Sequence, residues 1–162
     1  MIMQYIILLI LISIYESSTY SPSECTVDSY YFTFLRDSVG DFRVHGLWPE
    51  SCEQCETCGY PSCCVDLQYV YPEDPTDFIN NKWFYSLSYN DCNGENDVIL
   101  FEHEYYKHGS CMGVKNTTEY LNYVIELYDE YYDAYVNGKC EGCQQLWLYL
   151  NKNENYIGTI CE

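Results

Sequence analysis

The eleven cysteines restrict this chain more than any other feature of its sequence. Because eleven is odd, at least one thiol has no partner within the chain, while the others either form disulfides or bind a metal. The spacing of Cys52, Cys55 and Cys58, with Cys140 and Cys143 later in the chain, is similar to that of zinc-binding thiolates. An oxidising compartment favours disulfides instead, so the choice depends on where the protein is delivered.

The N-terminus predicts delivery to an oxidising compartment. Residues 5–15 form an apolar run, broken only by Ser13, and residues 16–19 are polar. This pattern is typical of a secretory signal, and the run is shorter than the roughly 20 residues that span a bilayer. We therefore expect a signal peptide at 1–19, a protein that is secreted or held in an endolysosomal or vacuolar lumen, and no metal site. The alternative for residues 5–15 is a buried strand at the start of the fold.

Length and composition predict one globular domain over residues 20–162. A typical domain has roughly 100 to 200 residues, and a content of 48% hydrophobic and 18% aromatic residues argues against disorder. The charge is strongly negative, with 25 acidic and 7 basic residues giving −18 at neutral pH. Nonspecific binding to duplex DNA or to an anionic membrane depends on clusters of lysine and arginine, so this charge argues against both.

Local patterns predict strands and helices in one α+β domain. Aromatic, β-branched or alternating segments predict strands at 30–35, 41–47, 146–150 and 156–160. Between them we expect a bridged loop at 49–64, an extended segment at 66–77, a short helix at 78–87, a polar turn at 91–97 and a helix in the second half of 98–108. The clearest helix is 117–135, where apolar residues recur every three or four positions.

Asn116 has two interpretations. It precedes the helix at 117–135, with Glu119 three positions further on, which is a typical N-cap arrangement. It also begins the triplet Asn-Thr-Thr, an acceptor sequence for N-glycosylation. Both uses draw on the same side chain, and the sequence leaves both open.

All three histidines lie in two short segments, FRVHGLWPE at 42–50 and LFEHEYYKHGSC at 100–111. His103 and Lys107 are four residues apart, and so are Glu104 and His108. On a helix these pairs form two adjacent stripes. Two imidazoles can serve as general acid and base near neutral or mildly acidic pH, while the ammonium can stabilise an anion and the carboxylate can orient an imidazole. The residue types therefore predict a catalytic site.

Other readings of these segments are weaker. His103 and His108 are five residues apart, about 140° around a helix, so they share a zinc ion poorly compared with the four-residue spacing of zinc proteases. The chain has no Gly-x-Ser-x-Gly sequence. Cys111 could be a thiol nucleophile, but in a secreted chain with ten other cysteines we expect it in a disulfide.

The two segments resemble the active-site segments of the ribonuclease T2 family, in the same order and at a suitable interval. Trp83, the turn at 59–64 and the helix after Asn116 are also similar to the family, and the end of the chain faintly resembles its C-terminal strand pair. The resemblance implies an α+β fold with a mainly antiparallel sheet, flanking helices and disulfide staples. Short intervals before the first segment and after the long helix indicate a shortened member.

The resemblance also implies an activity, namely cleavage of single-stranded RNA by transphosphorylation through a 2′,3′-cyclic phosphate. The nucleophile is the RNA 2′-hydroxyl, so DNA is not a substrate and no metal or other cofactor is required; we expect a monomer. The implied roles are proton acceptor for His108, proton donor for His45, phosphate binding for His103, transition-state stabilisation for Glu104 and Lys107, and base binding for Trp48 and Glu50. The alternative for Trp48 is a core aromatic residue.

Disulfide pairings follow from the same resemblance. Cys64 is expected to pair with Cys111. The usual partner of Cys92 is absent, so Cys63 or one of the cysteines at 52, 55 and 58 would replace it. Cys161 would pair with Cys140 or Cys143.

A second class of function is a secreted, disulfide-rich binding or toxin-like module that derives from this fold and no longer cleaves RNA. Retention of all the polar residues in the two segments argues against it. For the enzyme, we expect a small positive focus, that is, a cleft of positive electrostatic potential, at an otherwise acidic surface. We also expect activity that is highest in acid and RNA binding that depends weakly on salt concentration. The residues predicted to line this cleft are Arg43, His45, His103, Lys107 and His108.

Overall fold

The computed structural model describes residues 27–51, 62–72, 76–86, 89–92, 94 and 97–162. The predicted signal peptide and the cysteines at 52, 55 and 58 lie outside the described residues. Within these ranges, no helix is both long enough and apolar enough to cross a membrane.

The fold is built on one four-stranded antiparallel sheet. Its strands are β1 (Val27–Arg36), β2 (Phe42–Ser51), β3 (Gln145–Asn151) and β4 (Tyr156–Cys161), in the spatial order β2-β1-β3-β4. Burial alternates along β3, as expected when one face of a strand packs on the core. All four predicted strands are confirmed, and with the helices they give the predicted α+β class.

Three α-helices accompany the sheet within the described ranges. They are α1 (Thr76–Lys82), α2 (Leu100–Lys107) and α3 (Thr117–Tyr131), and a π-helical turn (Tyr132–Val136) prolongs α3. The Asn116 side chain accepts a hydrogen bond from the Glu119 N–H at 2.9 Å, which confirms the N-cap. Glycosylation of Asn116 stays a prediction.

The short helix predicted at 78–87 is wrong in its bounds. It begins at Thr76, inside the segment predicted to be extended, and ends at Lys82. Trp83 instead forms a parallel β-bridge with Val44, and the Phe84 N–H donates to the Val44 carbonyl at 2.7 Å. Pairing with the edge of β2 therefore ends the helix, and local sequence patterns do not encode that contact.

The core lies between one sheet face and the helices. Phe34 of β1 contacts Tyr128 of α3, and Tyr105 of α2 contacts Tyr120 of α3. The buried hydrophobic side chains form one continuous cluster, which includes Phe32, Phe34, Val44, Leu47, Trp83, Leu100, Phe101, Leu121, Val124, Leu146, Leu148 and Leu150. This cluster seats α2 beside β2, the strand that carries the first histidine segment.

Three disulfides lie within the described residues. Cys64 pairs with Cys111, as expected, and Cys63 and Cys143 are the partners of Cys92 and Cys161. The alternative pairing of Cys161 with Cys140 is not formed, because Cys140 is a free, half-buried thiol. Its sulfur lies within 4.8 Å of the two bonded sulfurs.

Candidate active site

A β-bulge and a glycine bring the two histidine segments together. The register of β1 with β2 steps from the pair Thr33 and Gly46 to the pair Phe34 and Val44, so His45 is the extra residue of the bulge. Beside it, Gly46 faces the Glu104 side chain of α2 so closely that a β-carbon there would lie 1.9 Å from Glu104 Oε2. Only a residue without a side chain permits this approach.

The carboxylate of Glu104 lies between two imidazoles. Its Oε1 is 3.7 Å from His45 Nε2, and its Oε2 is 3.8 Å from His108 Nε2. The indole N–H of Trp48 donates to Oε2 at 2.7 Å. His108 is the C-cap of α2, and its backbone N–H donates to the Glu104 carbonyl. The predicted pairing of Glu104 with His108 on one helical stripe is therefore realised, and His45 joins from the sheet.

The members of this cluster differ in their access to solvent. The side chains of Glu104 and His108 are 2% and 1% exposed, whereas that of His45 is 16% exposed. A ligand can therefore reach His45 more readily than the other two groups.

His103 and Lys107 border the cluster from α2. His103 Nδ1 lies 2.6 Å from the Asn90 carbonyl oxygen, and its ring packs 5.0 Å from that of Tyr89. The charges of His103 and Lys107 both lower the pKa of His45 and of His108, so the two cations act on the same region.

The family model for the Ribonuclease T2 family matches residues 13–139, most of the chain. The chain belongs to the ribonuclease T2 family. Two curated proteins named ribonuclease T2-like are similar to it. One, from Candida glabrata, is 29% identical over an alignment of 110 positions that covers 57% of this chain and 24% of that protein. The other, from Aspergillus fumigatus, is 30% identical over an alignment of 91 positions that covers 52% of this chain and 21% of that protein.

In both ribonuclease T2-like relatives, the aligned part spans less than a quarter of the protein's length. No solved structure matches the chain. Membership of the ribonuclease T2 family therefore rests on the sequence match, and the disulfide-stapled α+β fold is consistent with it.

Burial dominates the electrostatics of the cluster formed by Glu104, His45 and His108 in this ribonuclease T2 family member. It raises the pKa of Glu104 to about 8, although the hydrogen bond from Trp48 and the charge of Lys107 act in the opposite direction. Burial also lowers the pKa of His45 to about 4, with help from His103 and Lys107. The pKa of His108 falls further, again mainly through burial. Both imidazoles are thus neutral near pH 7.

Trp48 and Glu50, the base-binding residues implied by similarity to ribonuclease T2 enzymes, lie on the same strand as His45. Trp48 is half-buried and packs against both His45 and His108. Glu50 is also half-buried, and burial raises the pKa of its carboxyl. Leu100, which stands where the family often has a second base-binding aromatic residue, is 1% exposed and belongs to the core.

The prediction that Arg43 contributes to the positive focus is wrong. Its guanidinium forms an ion pair with Asp37 at 2.8 Å, lies 3.6 Å from Asp41 and also donates to the Asn81 carbonyl. Two carboxylates therefore balance its charge at the turn between β1 and β2. Lys107 and His103 therefore supply the positive charge that acts on the two clustered histidines.

The sequence interpretation missed one residue of this site and one neighbour that packs against it from outside. Gly46 lies inside the first segment, where a glycine between a histidine and a bulky apolar residue could have suggested a close backbone approach. Trp147 of β3 packs edge-on against Trp48, with ring centroids 5.1 Å apart. It lies far from Trp48 along the chain, and no local signal points to it.

Proposed function

We propose that this chain is a metal-independent endoribonuclease that cleaves single-stranded RNA by transphosphorylation and works best in acid. The observation that carries the proposal is the desolvated cluster in which one carboxylate, Glu104, faces both His45 and His108. Two imidazoles at one site can accept and donate the two protons that this reaction moves.

The reaction forms a bond between the RNA 2′-oxygen and phosphorus and breaks the bond from phosphorus to the 5′-oxygen. His108 accepts the proton of the 2′-hydroxyl, because burial lowers its pKa and keeps it neutral. His45, the more exposed imidazole, donates a proton to the departing 5′-oxygen. The products are a 2′,3′-cyclic phosphate and a free 5′-hydroxyl.

The remaining polar groups stabilise charge on the phosphorane. Lys107 and His103 supply positive charge toward the two catalytic histidines, as their influence on both pKa values indicates. Glu104 can hold an imidazolium between its oxygens as a proton moves. Base contact by Trp48 and Glu50 is the role that resemblance to the family implies, and the absence of any metal or other cofactor remains part of the proposal.

The proposal also covers the location, oligomeric state and partner of the protein. A signal peptide at residues 1–19 would deliver a monomer to the exterior or to an endolysosomal or vacuolar lumen, where single-stranded RNA, and not DNA or a membrane, is its partner.

Incubation of the oxidised full chain with labelled single-stranded RNA and EDTA at pH 5 and pH 7 tests the proposal. We expect cleavage that leaves cyclic phosphate ends and is faster at pH 5. A substrate with a 2′-deoxy residue at the cleaved position should stay intact. His45→Ala and His108→Ala should each lower the rate at least a hundredfold, while Val39→Ser, at a 78% exposed position in the β1–β2 turn, should not.

Absence of cleavage by oxidised wild-type protein at either pH would overturn the proposal. RNA binding without cleavage would instead favour the non-catalytic module.

A further inference from the structure

The indole N–H of Trp48 is hydrogen-bonded to the side chain of Glu104. It donates to Oε2 at 2.7 Å, at the short end of the range for N–H···O hydrogen bonds. In the part of the chain that the structure describes, this is the one hydrogen bond that reaches the Glu104 side chain. A carboxylate that is 2% exposed and has a single donor depends on that donor for its orientation.

Packing fixes the indole from several sides. The Trp48 ring lies nearly parallel to His108, with centroids 5.5 Å apart and planes 32° apart. His45 and Trp147 meet it edge-on, each at 5.1 Å. Trp48 thus touches both histidines and the carboxylate between them.

Gly46 permits this arrangement. A β-carbon at that position would lie 1.9 Å from Glu104 Oε2 and 2.7 Å from Trp48 Nε1. The hydrogen-bonded pair therefore occupies the space that a side chain at Gly46 would fill.

We propose that Trp48 is a positioning residue, which holds the Glu104 carboxylate between His45 and His108 and acts on the reaction through that carboxylate. The proposal rests on the proposed function and changes the role that resemblance assigns to this residue. Base binding by Trp48 needs a free ring face and does not need the indole N–H, whereas the positioning role needs the N–H itself.

The chain offers a matched pair of substitutions. Trp48→Phe keeps an aromatic ring and removes the N–H that Glu104 accepts. Trp147→Phe makes the same change 5.1 Å away, at an indole whose buried Nε1 has no hydrogen-bond partner among the described residues. Any general effect of exchanging tryptophan for phenylalanine in this region should appear in both variants.

Steady-state kinetics on short RNA substrates with each of the four bases at the cleaved position test the role. We expect Trp48→Phe to lower kcat roughly tenfold to a hundredfold, since a displaced catalytic group costs about this much. KM and the order of preference among the bases should change less than twofold. Trp147→Phe should leave kcat and KM within about twofold of wild type. A Trp48→Phe variant with unchanged kcat but altered KM or base preference would overturn the proposal and establish base binding.

The pH profile provides a second readout. The hydrogen bond from Trp48 lowers the pKa of Glu104 against the effect of burial, so its loss makes the carboxyl harder to ionise. The pH at which Glu104 titrates, followed through the pH dependence of Tm, should move to a higher value in Trp48→Phe and stay in place in Trp147→Phe. Identical profiles in both variants would contradict the positioning role.

An NMR titration of ¹⁵N-labelled wild type does not depend on activity or on the folding of Trp48→Phe. The chain has three tryptophans, so three indole N–H signals are expected. The Trp48 signal should shift with pH as Glu104 titrates, and Glu104→Gln should abolish that shift. If the pH-dependent shift of the Trp48 signal is absent, or is unchanged in Glu104→Gln, the proposal is refuted. Failure of wild type to cleave RNA would refute only the proposed function.

Discussion

Gly46 and Glu104 occupy adjoining space at the centre of the site, since a β-carbon on Gly46 would lie 1.9 Å from the carboxylate oxygen Oε2. Gly46→Ala should therefore displace Glu104 and lower RNA cleavage at least a hundredfold. Gly158→Ala is the matched control, because Gly158 also lies in a strand and its β-carbon would meet no atom within 4 Å. Equal activity of the two variants would contradict the close packing of β2 against α2.

Glu104→Gln should stabilise the domain at alkaline pH. The pKa of Glu104 is about 8 in the folded chain, against an ordinary value of 4.5 in the unfolded chain, so the folded protein holds an extra proton between these values. The stabilising contribution is fully present below pH 4.5 and is lost as pH rises to about 8. The Tm difference between Glu104→Gln and wild type should grow over this range by on the order of 10 °C.

The control for this measurement is Glu126→Gln, at an exposed position of α3. Its Tm difference from wild type should stay constant with pH. A constant difference for Glu104→Gln as well would show that the carboxyl titrates normally.

The rate of RNA cleavage should fall as pH rises from 5 to 7. His45 must be protonated to donate its proton, and burial lowers its pKa to about 4. Above that value the protonated fraction falls up to tenfold per pH unit. Measurement of kcat/KM across this range checks the sign, with Tm at each pH as proof of folding. A rate that rises toward pH 7 would contradict the assignment of His45 as proton donor.

Removal of two disulfides should separate stability from activity. The Cys64–Cys111 and Cys143–Cys161 bridges join residues 47 and 18 positions apart, so loop entropy gives about 4 and about 3 kcal/mol of stabilisation. Both double alanine variants should have a lower Tm than wild type.

Only loss of the first bridge should lower activity at temperatures where both variants are folded, because Cys111 lies three residues after His108. Activity that survives without Cys64 and Cys111 would mean that the neighbouring Cys63–Cys92 bridge holds the end of α2 by itself.

Much of the fold was predictable from local patterns. Leu146, Leu148 and Leu150 alternate in sequence and are all buried, as a strand with one covered face requires. The helix after Asn116 follows from its apolar periodicity and its N-cap, and the two histidine segments indicated the ribonuclease T2 family.

Other features depended on contacts between distant residues. Trp83 ends α1 by pairing with Val44. Arg43 is close to His45 in sequence, but its guanidinium forms an ion pair with Asp37 instead of facing the site. The choice of Cys63 as partner of Cys92 likewise required the tertiary structure.

The sequence by itself determined which faces are buried and which residue types are available for chemistry, because periodicity and side-chain type are local properties. The tertiary structure decided which of those groups meet. A bulge at His45, the space beside Gly46 and the packing of α2 on β2 place the Glu104 carboxylate against two imidazoles and the Trp48 indole. Such distances depend on sheet register and helix packing, which arise only when the whole core assembles.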